Sequence, residues 1–473
     1  MSSSSPIIVW IRRDLRLADH AALSAAAGTG RPVIPVFLHD EVVEDLAAAP
    51  KWRLGLGIAS FAARLDGIGS RLILRRGRAL ERLSELVGET GAGAVWWQRA
   101  YDPASLARDT EVKAALKARG IDARSFPGHL LFEPWTVETK TGDYYKVYTP
   151  FWKSVRDRDP GAPLPAVTAL AAPARWPGSA GLAAWRMGDA MNRGAEVVLR
   201  HVTVGEAAAE GRLGAFVARK IAGYDAARDR PAEDGTSRLS ENLTCGEISP
   251  RICWQAGLRA MEEGKAGAET FLKELVWREF AYHLLYHTPH LAESSWRPEW
   301  ARFPWSEDGD SPEATAWKRG RTGIPFVDAA MRELYVTGYM HNRARMIVAS
   351  YLTKHLMTHW KIGMRWFEDH LIDWDPASNA MGWQWSAGSG PDATPYFRVF
   401  NPVTQLDKFD PARRYVDTWI AEGKSRPAPQ ALDYFAAIPE RWGMSPADPY
   451  PAPVIGPKEG RARALEAYGA RGR

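Results

Sequence analysis

Apolar positions in the first quarter of the chain come in short unbroken runs. Ile7–Ile11 is one, followed by a polar turn and an alanine-rich stretch of helical spacing from Asp19. Val33–Leu38 is the next run, and Arg53–Leu65 the next helical stretch. Leu72–Leu74, Leu80–Val87, Val95–Gln98, Thr110–Ala118 and Ala123–Phe126 continue the alternation. Runs without polar alternation mark strands buried on both faces, and strands separated by helices close into a parallel sheet. The pattern predicts an α/β domain over 6–132 with a five-stranded, doubly wound parallel sheet. Segment 160–181 is rich in Pro, Ala and Gly and reads as a connector between domains, within a connecting region of 133–211. From Arg212 the period becomes helical. Leu272, Val276, Phe280 and Leu284 recur at intervals of four in Phe271–His287, and Asn342–Trp360 reads as a further helix. An all-α domain over 212–473 is expected.

Composition narrows the class. The chain has 473 residues, 45% hydrophobic and 25% charged, which suits a soluble globular protein and argues against disorder or a fibre. No apolar run approaches the ~18 residues of a membrane span. The start, Met1–Pro6, has neither a basic nor an apolar segment, so no signal peptide is expected. Two cysteines, Cys245 and Cys253, fit a reducing cytoplasm better than a disulfide framework. A net charge of +5 points mildly to an anionic partner such as nucleic acid. The 21 tryptophans are a heavy load, and ten of them fall between Trp277 and Trp385. They read either as a large aromatic core or as rings for stacking and electron hopping.

Several clusters could carry chemistry. Tyr224 with Thr236, Ser237, Arg238, Leu239 and Ser240 offers hydroxyls and amides for a phosphate, or else a cap on a helix over Ile248–Leu258. Glu274, Trp277 and Arg278 share a helical face, where a carboxylate and an indole suit a base edge and a base plane; an ordinary amphipathic helix reads the same way. Asn342, Arg345 and Met346 share another face, with Arg343 and Arg345 suited to phosphates, or simply begin a polar helix. Asp373 and Asp375 could accept from ribose hydroxyls, ligate a metal or cap a helix, and no third acidic ligand supports the metal. Arg12, Arg13 and Arg16 follow the first strand and suit a phosphate or a solvated turn. His283 with His287, and His355 with His359, are four apart, but neither pair makes H-E-x-x-H, and no P-loop, G-x-S-x-G or C-x-x-C occurs. No G-x-G-x-x-G follows the first strand, so a Rossmann dinucleotide site is unsupported there.

Taken in order, TSRLS, ELVWREF, TGIPFVDAAMREL, NRARMIVASYLTKHLMTHWK, DWDPASNAMGWQW and NPVTQLDKFD closely resemble the DNA photolyase and cryptochrome family over nearly the whole chain. The resemblance implies an α/β antenna domain and a helical domain binding FAD in a folded form, as the reduced anion when active. It implies that Tyr224, Thr236, Ser237, Arg238, Leu239, Ser240, Arg278, Asp373, Trp374, Asp375 and Asn379 bind FAD, Asn379 facing the flavin. Glu274, Trp277, Asn342, Met346 and Trp385 would form the lesion pocket, with Asn379 the catalytic set. Arg228, Arg343, Arg345 and Gln405 would join Glu274, Trp277 and Asn342 in contacting DNA. Trp383, Trp360 and Trp305 would form the electron relay between flavin and surface, with Trp383 nearest the flavin and Trp305 outermost.

Within the family, Arg345 and Met346 after Asn342 resemble cyclobutane pyrimidine dimer photolyases, since photolyases for the (6-4) lesion place histidines in the pocket. A short tail after Ala470 lacks the extension of plant-type cryptochromes. The expected activity is light-driven dimer repair, a carbon–carbon lyase reaction, by a cytoplasmic monomer acting on damaged DNA; the alternative is a cryptochrome-like blue-light photoreceptor without repair. The family's folate-binding members tend to carry an Asn-Glu pair where this chain has Ala104 and Ser105. The antenna is therefore left among methenyltetrahydrofolate in another pose, a deazaflavin, or none.

Overall fold

The structure is a computed structural model and describes residues 5–392 and 397–470. The serine-rich start at 1–4 and the tail after Ala470 lie outside the described residues. The chain forms two compact units. One comprises Met1–Asp189, Thr203–Ala222 and Ser237–Pro289; the other comprises Ala190–Val202, Gly223–Thr236 and His290–Arg473. The segment expected to be one helical domain, 212–473, thus contributes to both.

The first unit is built on five parallel strands, β1 (Ile7–Ile11), β2 (Val33–His39), β3 (Ile73–Arg76), β4 (Ala94–Gln98) and β5 (Asp122–Phe126), in the order β3-β2-β1-β4-β5. Ile7 faces Val33 on one side and Ala94 on the other. Ile7, Val9 and Ile11 enter one core, and Ile8 and Trp10 the other. Both faces are covered, which is why β1 has no polar alternation. The Pro-rich 160–181 segment has no regular element, yet it is not a free tether. Val167 N donates to Leu17 O at 3.2 Å, Val33 N donates to Ala171 O at 2.9 Å, and Val167 and Leu170 are buried in the sheet core. Proline removes donors but not apolar area, so this segment straps the sheet. Cys245 and Cys253 are free and buried, burial pushing their thiols up to about 11 and about 12.

The second unit is helical. Arg332, on the Pro325–Thr337 helix, and Glu422 are both wholly buried and joined by two bonds of 2.6 and 2.7 Å. Removing one partner would leave an uncompensated buried charge. Glu422→Ala is expected to cost about 3–5 kcal/mol, read as a lower urea midpoint, whereas a surface pair such as Lys424–Asp417 should cost well under about 1 kcal/mol.

The helix expected over Asn342–Trp360 is interrupted. Asn342–Ser350 runs into a π-helical turn, Tyr351–His355; Met357 adopts the left-handed φ of 52°, and a new helix begins at Trp360, capped by His359 accepting from Lys361 N. The apolar ridges continue through the break, so periodicity could not reveal it.

Burial also sets an acid limit. His129 lies well below its ordinary value near 6.5, His283 falls to about 3 and His355 to about 4, each chiefly by burial. They stay neutral when folded and take protons when unfolded, so stability is lost as pH falls below about 6.5, by about 1.4 kcal/mol per pH unit for each group. Glu279 opposes this. Burial raises its carboxyl to about 7 against Arg278 and the N–H groups of Phe132 and Leu131, so its penalty above pH 7 disappears on acidification toward 4.5. Thermal unfolding between pH 6.5 and 4.5 is expected to show falling stability, steeper by one such group in Glu279→Gln.

Candidate functional site

In the second unit, Asp373 and Asp375 precede the Pro376–Ala387 helix and have different work. Asp375 is its N-cap, accepting from Ser378 N at 2.8 Å, with Pro376 at the first helical position. Asp373 is buried and accepts from Arg345 Nη2 at 2.7 Å through Oδ2. Its Oδ1 is buried with no partner among the described residues. A buried carboxylate oxygen left open is costly unless something donates to it, so this atom fits a ligand with an N–H or O–H group.

Arg345 was expected at a DNA phosphate. Instead its guanidinium is committed to Asp373, to Met340 O at 2.8 Å and to the Tyr339 ring at 5.3 Å. Arg343 pairs with the more exposed Asp229 at 2.7 Å and lies 4.4 Å over Phe409. Asn342 is exposed and Met346 half-buried on the same helix, which His341 caps by accepting from Arg343 N. Arg228 lies over Tyr224 at 5.6 Å, and Gln405 is half-buried on the Pro402–Phe409 helix. Asn379 donates its amide to Met364 O at 3.0 Å.

Trp383 is buried, meeting Phe367 at 4.9 Å and Trp317 at 6.0 Å, and its indole N–H has no partner among the described residues. Gly363 allows this fit, since a Cβ there would stand 2.1 Å from the Trp383 ring. His359 stands 5.3 Å from Trp305 and 5.4 Å from Trp360. Trp305, expected to face the surface, is only 7% exposed. It stacks on Trp300 at 5.5 Å, packs on Phe303, and donates its N–H to Thr353 O at 2.7 Å. Trp385 is half-buried. Gln384, which the sequence did not single out, fastens its helix: it donates to Leu291 O and Ser294 O at 2.6 and 2.9 Å and accepts from Trp296 N at 2.8 Å.

In the first unit, the 237–240 segment is not the cap of the following long helix. That helix is Pro250–Glu262, capped by Ser249, while Ser240 opens the short Ser240–Cys245 helix. Arg238 has a left-handed φ of 51°, a conformation that needs outside support. Arg212 supplies it, donating to Arg238 O at 2.7 Å, Glu241 Oε1 at 2.5 Å and Asn242 Oδ1 at 3.1 Å. Behind it, wholly buried Arg53 grips Glu247 at 2.9 and 2.7 Å. Neither arginine stood out in the sequence, because nothing local distinguishes them from surface arginines.

Glu274, Trp277 and Arg278 lie half-buried on the Ala268–His287 helix. Arg278, expected at the cofactor, donates to His129 O at 2.8 Å and pairs with Glu279 at 3.3 Å. Two of the arginines after β1, Arg12 and Arg16, also turn inward. Arg12 makes two bonds to Asp109 at 2.8 and 2.6 Å, and Arg16 donates to Gly246 O and Gly128 O. Arg12 and Arg108 lie 4.8 and 4.7 Å over Trp10. Among the described residues no cluster of three His, Cys, Asp or Glu could hold a metal, and no helix is long and apolar enough to cross a membrane.

Comparison with known proteins bears on this arrangement. Residues 7–170 match the DNA photolyase family model, and residues 271–470 match the FAD binding domain of DNA photolyase. A deoxyribodipyrimidine photo-lyase of Agrobacterium fabrum is 43% identical, covering 99% of this chain and 98% of its own. The crystal structure of a bacterial class III photolyase from Agrobacterium tumefaciens superposes with a TM-score of 0.91 at 42% identity, covering 100% of this chain and 98% of that one. A cryptochrome from Synechocystis has a TM-score of 0.84 at 26% identity, covering 99% and 100%. With both family models matched and a photo-lyase relative similar from end to end, the chain is a photo-lyase enzyme belonging to the DNA photolyase and cryptochrome family.

Proposed function

We propose that this enzyme repairs cyclobutane pyrimidine dimers in DNA under blue light, using FAD held by Tyr224, Thr236, Ser237, Leu239, Ser240, Asp373, Trp374, Asp375 and Asn379. The chemistry that bound, reduced FAD supplies is one electron lent to the dimer and taken back, so the cyclobutane ring opens with no net redox change. The chain's part is position and electrostatics. Asp373 offers its open oxygen as an acceptor, Arg345 fixes the orientation of that carboxylate, and Asn379 is held by Met364 O. Base flipping is general to enzymes, photolyases among them, that act on a base inside a duplex, and a dimer that stacks and pairs poorly is cheapest to extrude. Trp277 and Trp385 supply apolar walls for it, and Glu274 a carboxyl partner for a base edge. Asn342 and Met346 complete the pocket. Arg228, Arg343 and Gln405 contact the DNA backbone. An antenna chromophore, where one is bound, is methenyltetrahydrofolate or a deazaflavin and belongs to the five-stranded unit in this reading, and the protein acts as a cytoplasmic monomer.

The observation that carries dimer specificity is the face of the Asn342–Ser350 helix, where Asn342 and Met346 stand without a histidine. The test is irradiated DNA carrying both lesions, incubated with FAD-loaded protein in light and in darkness. Dimers are expected to disappear only in the light while (6-4) lesions persist. Binding without loss of either would favour the cryptochrome-like photoreceptor.

Arg343 gives a separate prediction. Its ion pair with Asp229 is partly exposed, so a phosphate can take over the guanidinium. Arg343→Ala is expected to weaken damaged and undamaged DNA alike and to lower the logarithmic salt slope by about one. A slope equal to wild type would remove Arg343 from the phosphate contacts.

A further inference from the structure

Tyr148 and Trp277 are stacked face to face, with centroids 3.7 Å apart and planes within 5°. That is closer than the roughly 4.5–7 Å common for aromatic pairs. Tyr148 begins the Tyr148–Val155 helix and is buried, and its phenol donates to Lys273 O at 2.7 Å. Lys273 lies one turn before Trp277 on the same helix, so the hydrogen bond and the stack act on adjacent turns. Phe280 meets both rings edge-on at 5.9 Å. One face of Trp277 is therefore taken by an anchored ring, and its plane is set before anything binds.

We infer that Tyr148 is a positioning residue for lesion recognition: it holds the Trp277 indole so that its other face receives an extruded base. The inference rests on the reading of Trp277 as a wall of the lesion pocket. An indole free to change rotamer would have to be ordered on binding, and that cost is removed when the ring is held in advance. Undamaged bases stay in the duplex and never use the face, so the gain falls on damaged DNA alone. The inward bond to Lys273 O marks Tyr148 as a backing wall rather than a plug that a base would displace.

The test uses full-length, FAD-loaded protein and two duplexes, one with a single cyclobutane dimer and one without. Tyr148→Leu is expected to lose about three- to tenfold in the ratio of the two affinities. Binding to undamaged DNA and FAD content should stay as in wild type, while the melting temperature falls because a buried, hydrogen-bonded ring is lost. Tyr148→Phe, which keeps the ring, should restore most of the ratio, and Tyr148→Met serves as a second ringless variant should Tyr148→Leu not fold. In a Trp277→Ala background the Tyr148 change should have no further effect, because the two act as one unit. A ringless variant with full discrimination, or one whose loss persists in the Trp277→Ala background, would overturn the inference while leaving Trp277 in place. Full discrimination in Trp277→Ala itself would instead overturn the pocket reading, and the role of Tyr148 with it.

Discussion

Trp383→Phe is expected to fold, to bind FAD and to repair dimers when its flavin has been reduced chemically beforehand, yet to lose most photoreduction of that flavin by an external thiol. Three features make the substitution clean. Phenylalanine keeps most of the ring volume in the slot between Phe367, Trp317 and Gly363, so little cavity opens. The Trp383 indole N–H is buried without a partner among the described residues, so its removal orphans no acceptor there. Phenylalanine is far harder to oxidise than indole, so the electron step is what changes. The same exchange at Trp305 would be less clean, because Thr353 O would lose its donor. Transient absorption and steady illumination of the variant both report the step. Photoreduction at the wild-type rate would dismiss Trp383 as first donor in the proposed relay of Trp383, Trp360 and Trp305.

Asp373→Ala is expected to have the largest effect on cofactor retention. It removes an acceptor oxygen that no group among the described residues satisfies, and it also frees Arg345 from its partner. Hydrogen bonds to charged groups contribute about 1.5–3 kcal/mol, which is roughly 10- to 100-fold in affinity for FAD. Arg345 is one-quarter exposed and keeps its bond to Met340 O, so the fold should survive with a loss of about 1 kcal/mol. Asp373→Asn, which keeps a carbonyl acceptor, should fall between the two. Equilibrium dialysis against FAD checks all three proteins. Wild-type retention in Asp373→Ala would remove Asp373 from the FAD ligands. With Asp373 as an FAD ligand, Arg345→Ala should weaken FAD more than DNA, the reverse of what its place beside Arg343 in the sequence implies.

The sheet and the principal helices were legible because burial imposes a period. A strand covered on both faces must be apolar throughout, as Ile7–Ile11 is, and a helix against a core must repeat near every fourth residue, as Leu272 to Leu284 do. Family membership was legible because long motifs keep their order along the chain. The commitments of long, charged side chains were not. Arg345 and Asp373 are 28 residues apart, Arg278 and His129 149 apart, and Tyr148 lies more than a hundred residues before Trp277. An arginine on a helical face looks the same whether it reaches a phosphate or a buried carboxylate, because the choice depends on what the fold brings within about 3 Å. The break that follows the π-helical turn Tyr351–His355 was hidden for a related reason: buried Ile347, Tyr351, Leu352 and Leu356 keep near-helical spacing along the chain whether or not the helix continues. Sequence by itself determined the architecture and the residue types available for the chemistry. Tertiary structure alone decided that Arg345 serves Asp373, that Trp305 is buried against Trp300, and that Trp277 has one face already taken, since each depends on contacts between segments that no local pattern encodes.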